Sequence, residues 1–261
     1  MTSSDRIWQP LMEELAGRQR AGRKAEFWLR DDDAVDPTPA LDRLLDLTGE
    51  FAVPVTLAVI PARTDEKLVA RLDEAPHATV ASHGWEHRNH APEDQKKQEL
   101  GPHRPREAVL DDLARGLAHV TGLHGARAVP ILVPPWNRID AGLVSDLGSI
   151  GFAALSVYGP PKAAPLAVIN SNVDIMDWHG TRGCRDHGLL VQAIIAHLQH
   201  AFDDEPVGLL THHLVHDESA WLFLERLFAV TTRTEACAWL PIRTLIARSA
   251  GRRNSSALFM R

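Results

Sequence analysis

The chain has 261 residues, 44% of them hydrophobic and 24% charged, with a formal net charge of −6. That length can bury a sizeable core, and the acidic balance excludes the global basic field of a nucleic-acid-binding protein. No run of about 18 apolar residues is present, which excludes a transmembrane helix. The N-terminus lacks the basic-then-apolar order of a secretory signal. The cysteines, Cys184 and Cys237, make no metal or redox spacing with each other. Together these features predict a cytoplasmic protein with no membrane partner. Histidine is the unusual component: there are 14, several of them clustered, a composition that suggests metal or acid–base chemistry.

Ile7, Leu11 and Leu15 repeat at helical spacing and predict an amphipathic helix over about 5–20. Glu26–Arg30 reads as a short strand ending in Asp31-Asp32-Asp33. Thr38-Pro39 is an N-cap followed by proline at the first helical position, opening a helix with Leu41, Leu44, Leu45 and Leu47. The apolar, β-branched run Val53–Ile60 is a strand buried on both faces. Thr64 then caps a helix whose first turn holds Asp65 and Glu66. A strand at 78–81 leads into the histidine-rich stretch, and residues 90–104 form a polar segment without periodicity. A helix over 105–120, a strand over 128–133, a helix near 140–149 and a strand at 152–157 follow. Beyond a less regular stretch with a short strand at 167–169 come a helix at 187–202, a strand at 207–211, a helix near 218–230 and a polar tail from Ser249. Sustained strand–helix alternation predicts a single α/β domain built on a mostly parallel sheet or barrel.

His83 and His87 are four residues apart, so one helical turn would put both rings on one face. That spacing suits two ligands of one metal ion, although such a pair alone is more often ordinary surface or core histidine. Position adds to the signal. Asp31-Asp32, His83, Trp136 and His212 each follow the C-terminal end of a predicted strand, and in parallel α/β folds those ends share one face where sites form. One carboxylate with two histidines makes a metal site with open positions. A neighbouring carboxylate can act as general base.

In order, Leu29-Arg30-Asp31-Asp32, His83-Gly84-Trp85-Glu86-His87, Val133-Pro134-Pro135-Trp136-Asn137, Asp174-Ile175-Met176-Asp177-Trp178 and Leu210-Thr211-His212 resemble the five motifs of the polysaccharide deacetylase family, the NodB-homology or carbohydrate esterase family 4 proteins. The resemblance spans about residues 26–215. It implies a distorted (β/α) barrel with one catalytic domain, its core at about 26–245. It further implies Asp31 as general base, and Asp32, His83 and His87 as ligands of a divalent metal, usually zinc. His212 becomes the general acid, with Asp177 or Asp174 orienting it. Trp136 and Trp178 wall the acetyl pocket, beside Pro135, Asn137, Arg138 and Trp85. The implied reaction is hydrolysis of an N-acetyl group on an amino sugar, a small molecule or an oligosaccharide. The missing export signal also fits a non-sugar amide or cyclic imide, and Val133, where the family has arginine, fits a silent carbohydrate-binding relative. Asn137 replaces a motif glycine. Asp33 replaces the glycine after the aspartate pair, which leaves open which two of the three acids work. Arg138 and Arg30 are candidates for the missing arginine's charge, and His90 and His213 are additional candidate ligands or acids.

Overall fold

The computed structural model describes residues 3–200 and 205–258. In chain order its regular elements are α1 (Ser3–Arg20), β1 (Ala25–Ala34), α2 (Pro39–Glu50), β2 (Val55–Val59), α3 (Glu66–Asp73), β3 (Ala78–Ser82), α4 (Arg106–His124), β4 (Ala128–Leu132), α5 (Ala141–Val144), β5 (Ala154–Leu155), β6 (Ala167–Val168), β7 (Val173–Asp174), α6 (His187–His200), β8 (Val207–Thr211), α7 (Glu218–Thr231), β9 (Cys237–Trp239) and α8 (Ile242–Leu258). No helix among the described residues is long and apolar enough to cross a membrane.

The chain divides into two compact units. Residues 1–31, 38–55 and 171–240 form the first, and residues 32–37, 56–170 and 241–261 the second. In the first, β1 lies between β8 and β9, and β7 pairs with the far side of β8, all parallel. The core of this unit is aromatic. Phe27 stacks on Trp239 at 5.1 Å, and Phe228 meets the same indole edge-on at 5.2 Å. Trp8 of α1 lies 5.3 Å from Phe223 of α7. Aromatic pairs at these separations add a fraction of a kcal/mol to about 1.5 kcal/mol beyond burial.

In the second unit the strands run in the order β6, β5, β4, β3, β2, and the last residues of β1 join them, Ala34 accepting from the Ile60 amide at 3.0 Å. A cluster of Leu100, Val109, Leu113, Leu132, Leu143, Leu147, Phe152, Leu155 and Leu166 packs α4 and the 141–152 segment against β4 and β5. All five residues of β2 are buried, as its largely apolar run requires, and the one polar side chain, Thr56, meets the Thr79 hydroxyl at 3.2 Å.

Several boundaries differ from the sequence expectation. Asp65, not Thr64, caps α3: its carboxylate accepts from the Lys67 amide at 2.9 Å, and the Thr64 hydroxyl has no hydrogen-bond partner among the described residues. The helix near 140–149 shortens to the four residues of α5, and the strand at 152–157 to two. The short strands β7 and β9 and the helix α8 have no periodicity strong enough to announce them; β7 and β9 form because β8 and β1 supply their hydrogen bonds. The expected end of the 187–202 helix lies outside the described residues. Thr38 behaves as expected, its hydroxyl accepting from the Leu41 amide at 3.1 Å.

Candidate metal centre

Side chains in a regular strand alternate between faces, so β1 alone would keep Asp31 and Asp33 together and turn Asp32 away. Asp33 breaks that rule. Its φ is +73°, in the left-handed region that aspartate tolerates better than most residues. The departure brings the Asp33 carboxylate to the loop that follows β3.

That loop is not helical. Residues 83–90 contain no helix, and the two rings converge through reversed backbone at Gly84 (φ +62°) and His87 (φ +57°) instead. Asp33 Oδ1 lies 3.2 Å from His83 Nε2 and 3.3 Å from His87 Nε2. The three side chains can each offer a ligand atom, all within 4.8 Å of one another. Ligand atoms about 2.0 to 2.2 Å from a tetrahedral zinc lie roughly 3.3 Å apart, so the donor set and its spacing fit a zinc-like ion. The carboxylate in this group is that of Asp33, where the motif resemblance implied Asp32. Sites of this kind often hold strained backbone, and Trp136 (φ +55°) and Asn137 (φ +56°) add to it.

His83 is held from behind. Its main-chain amide donates to the Val59 carbonyl at 2.8 Å, and its Nδ1 lies 2.8 Å from the Val133 carbonyl oxygen. A ring that donates Nδ1–H to a carbonyl keeps its Nε2 lone pair for a metal. Burial opposes charge on this ring, but the hydrogen bond it donates to Asp33 and the charges of the Asp32 and Asp33 carboxylates outweigh it, and His83 holds its proton above the ordinary range. Burial and the adjacent His83 charge instead push His87 down to about 4. The two rings are thus shifted in opposite directions beside the same carboxylate.

Asp32 is 1% exposed and close enough for its charge to favour protonation of both rings. Asp31 belongs to the first unit and is fully buried there. Its Oδ2 accepts from the Thr211 hydroxyl at 2.7 Å and from the His213 amide at 2.9 Å, and its Oδ1 is paired with His213 Nδ1. Burial alone would raise this carboxyl, yet the charge and hydrogen bond of His213, with help from His216 and Thr211, hold it below the ordinary carboxylate value. An imidazole therefore partners Asp31, where the motif comparison pointed to an arginine. Arg138 donates to the Lys97 carbonyl at 2.8 Å, and Arg30 is fully buried in β1.

The remaining expected residues divide between the units. In the second, the Trp136 ring lies 4.3 Å from His87, Pro135 is buried, and Trp85 carries the Arg115 guanidinium 4.1 Å above its ring. A cavity of about 500 Å³ beside His87 and Trp136 is lined also by Arg63, Glu86, Arg88, Asn89 and Lys97. In the first unit, His212 follows β8 and meets Trp178 edge-on at 4.7 Å. The Trp178 indole donates to Asp174 Oδ2 at 2.8 Å. Asp177 closes a turn, accepting from the amides of Gly180 (3.0 Å) and Thr181 (2.9 Å). Asp174, not Asp177, thus carries the contact that reaches toward His212 through Trp178. His90 stands apart from the three candidate ligands, its ring 3.5 Å from Arg104.

No family model matches this sequence, and no curated protein matches it. The fold does match solved structures. A provisionally named polysaccharide deacetylase from Mycobacterium smegmatis superposes with a TM-score of 0.67 at 16% identity, over 89% of this chain and 92% of its own. The peptidoglycan deacetylase PdaC of Bacillus subtilis gives 0.54 at 16% identity, over 90% and 96%. A family 4 carbohydrate esterase from Streptomyces lividans, solved with acetate, gives 0.55 at 15% identity, over 82% and 91%. Parallel strands alternating with helices, with polar clusters following their C-terminal ends, define an α/β protein of the kind that places its chemistry on strand-end loops. More particularly, the fold is the one these solved deacetylase structures share, the distorted (β/α) barrel that the motif resemblance implied.

Proposed function

We propose that this chain is a divalent-metal-dependent hydrolase that removes the acetyl group from an N-acetylated amino sugar or a closely related amide. One observation carries the reading: within a deacetylase fold, Asp33, His83 and His87 bring one carboxylate and two imidazoles within bonding range of a common ion. These three would hold the metal, with zinc the best fit to the donor set. When bound, the ion supplies Lewis acidity, polarising the amide carbonyl and acidifying a water.

The chain's own residues supply the rest. Asp32, adjacent to the ligand carboxylate and buried beside both rings, is assigned as the base that takes the proton of the attacking water. Asp31 has its oxygens engaged by Thr211 and His213, which supports a scaffold role in place of the base role that motif counting suggests. The general-acid role of His212, protonating the leaving nitrogen, rests on its motif position directly after β8. Trp136, packed on His87, offers an apolar wall for the acetyl methyl or a sugar face.

The test is metal analysis followed by acetate release from N-acetylated sugars and non-sugar amides. About one metal per chain, with turnover on at least one acetamide, is expected. Metal-loaded protein inert on the whole panel would favour a binding relative without turnover.

A further inference from the structure

We propose that Glu99 is a positioning residue for the His83–His87 loop, an internal anion that holds the two imidazoles in ligand geometry before a metal arrives. The inference rests on the metal reading above. It goes beyond it in assigning a residue that no motif contains.

Glu99 lies within the polar segment between the histidine loop and α4, yet it is 1% exposed. A buried carboxylate is strongly disfavoured unless donors surround it, and here the donors come from one place. Its oxygens accept from the amides of Glu86 at 2.8 Å and Trp85 at 3.3 Å, with a further main-chain bond from Arg88. The Trp85 and Glu86 amides lie between His83 and His87, and the Arg88 amide directly follows His87. Successive amides turned to one point by left-handed residues, here Gly84 and His87, make an anion-binding concavity. The anion that fills this one is Glu99.

The seat is closed on its other sides. A Cβ at Gly84 would lie 2.1 Å from Glu99 Oε2 and 2.7 Å from the Pro135 ring, so glycine is required by both its φ and this close approach. Glu99 is itself fixed through its neighbours. Leu100 bridges to Ile139, its carbonyl accepts from the Asp140 amide at 2.7 Å, and the Gln98 carbonyl accepts from the His90 amide at 3.0 Å. Pro135 is also two residues from Val133, whose carbonyl orients His83. Three segments far apart in sequence thus meet around one carboxylate, and the arrangement leaves the loop little freedom to move its rings independently. Outer-shell groups that orient ligands are typically worth about 10- to 100-fold in metal affinity.

The experiment measures zinc affinity by chelator competition and the visible bands of the cobalt-loaded protein, for the full chain and for Glu99→Gln, Gly84→Ala and His83→Ala. Glu99→Gln keeps the volume but turns an NH2 group toward amide donors. The expected result is a 10- to 100-fold weaker zinc constant with altered cobalt bands in a protein that still unfolds cooperatively. Gly84→Ala should reproduce the loss from the opposite side of the same contact, and it decides the matter if Glu99→Gln does not fold. A carboxylate with a merely structural role would lower the unfolding midpoint and leave the cobalt bands unchanged, and that result overturns the proposal. Wild-type affinity in both variants also overturns it. Absence of metal uptake by the unmodified chain overturns the metal reading and this one together, a different outcome from uptake that is insensitive to Glu99.

Discussion

The Nδ1 of His83 lies 2.8 Å from the carbonyl oxygen of Val133, at the position where the deacetylase motif has arginine. Val133 contributes only its main chain to this contact, so a change of side chain at 133 need not alter the tautomer of His83. Val133 is itself fully buried. Val133→Ala should therefore keep metal affinity within about two-fold, losing roughly 1 to 3 kcal/mol of stability from the cavity. Val133→Arg, which restores the motif on paper, should instead destabilise by several kcal/mol, because a guanidinium would be buried without a prepared partner. Denaturant midpoints and metal titrations of both variants check this.

The three consecutive aspartates should separate by phenotype. Asp33→Asn is expected to lose metal along with turnover. Asp32→Asn should keep metal and lose turnover by about 100-fold or more, as expected for removal of a general base. Asp31→Asn should change stability first. Metal content and acetate release measured side by side settle the order; metal retained in Asp33→Asn would overturn the ligand assignment.

Removing the partner of a fully buried carboxylate leaves an uncompensated charge, which costs about 3 to 5 kcal/mol. His213→Ala should therefore destabilise strongly, and the double variant Asp31→Asn with His213→Ala by clearly less than the sum. The sign with pH follows from the lowered folded-state value of Asp31: its contribution is present above the unfolded carboxylate range and lost as pH falls through the folded value. In His213→Ala the acid limb of the stability curve should flatten.

His124 ends α4 with neither ring nitrogen hydrogen-bonded among the described residues. Burial first, then the charges of Arg127 and His119, push it from 6.5 down to about 4. Between those values the unfolded chain binds the extra proton, so stability must fall as pH drops from 6.5 toward 4. The contribution is at most about 3 kcal/mol. His124→Leu should remove it, and the difference between the two stability curves isolates this ring from His87 and His216, which are also displaced to about 4.

The cavity beside His87 carries Arg63, Arg88 and Lys97 against Glu86. Acidic amide substrates should thus bind more tightly than neutral ones of the same shape, and the advantage should shrink with salt. Reversing Arg63 and Lys97 to glutamate together should invert the preference in KM, leaving metal content unchanged.

Much of this protein was decided along the chain. The buried β2 run, the Thr38-Pro39 helix start and the placement of four polar clusters after predicted strands follow from local periodicity, capping and strand-end position, which are properties of near neighbours. The pairing of His83 with His87 was equally legible, because four-residue spacing brings two rings together in more than one backbone conformation. Which aspartate joins them was not: that depends on a left-handed φ at Asp33, which a non-glycine residue adopts only when surrounding contacts impose it. The same holds for Asp31 and His213, 182 residues apart, and for Glu99, which reads as one acid in a polar loop until the amides of Trp85 and Glu86 turn toward it. The fold class followed from strand–helix alternation along the chain. Only tertiary packing decided which donors each buried carboxylate meets, because His213 for Asp31 and the amides of Trp85 and Glu86 for Glu99 come from other segments of the chain.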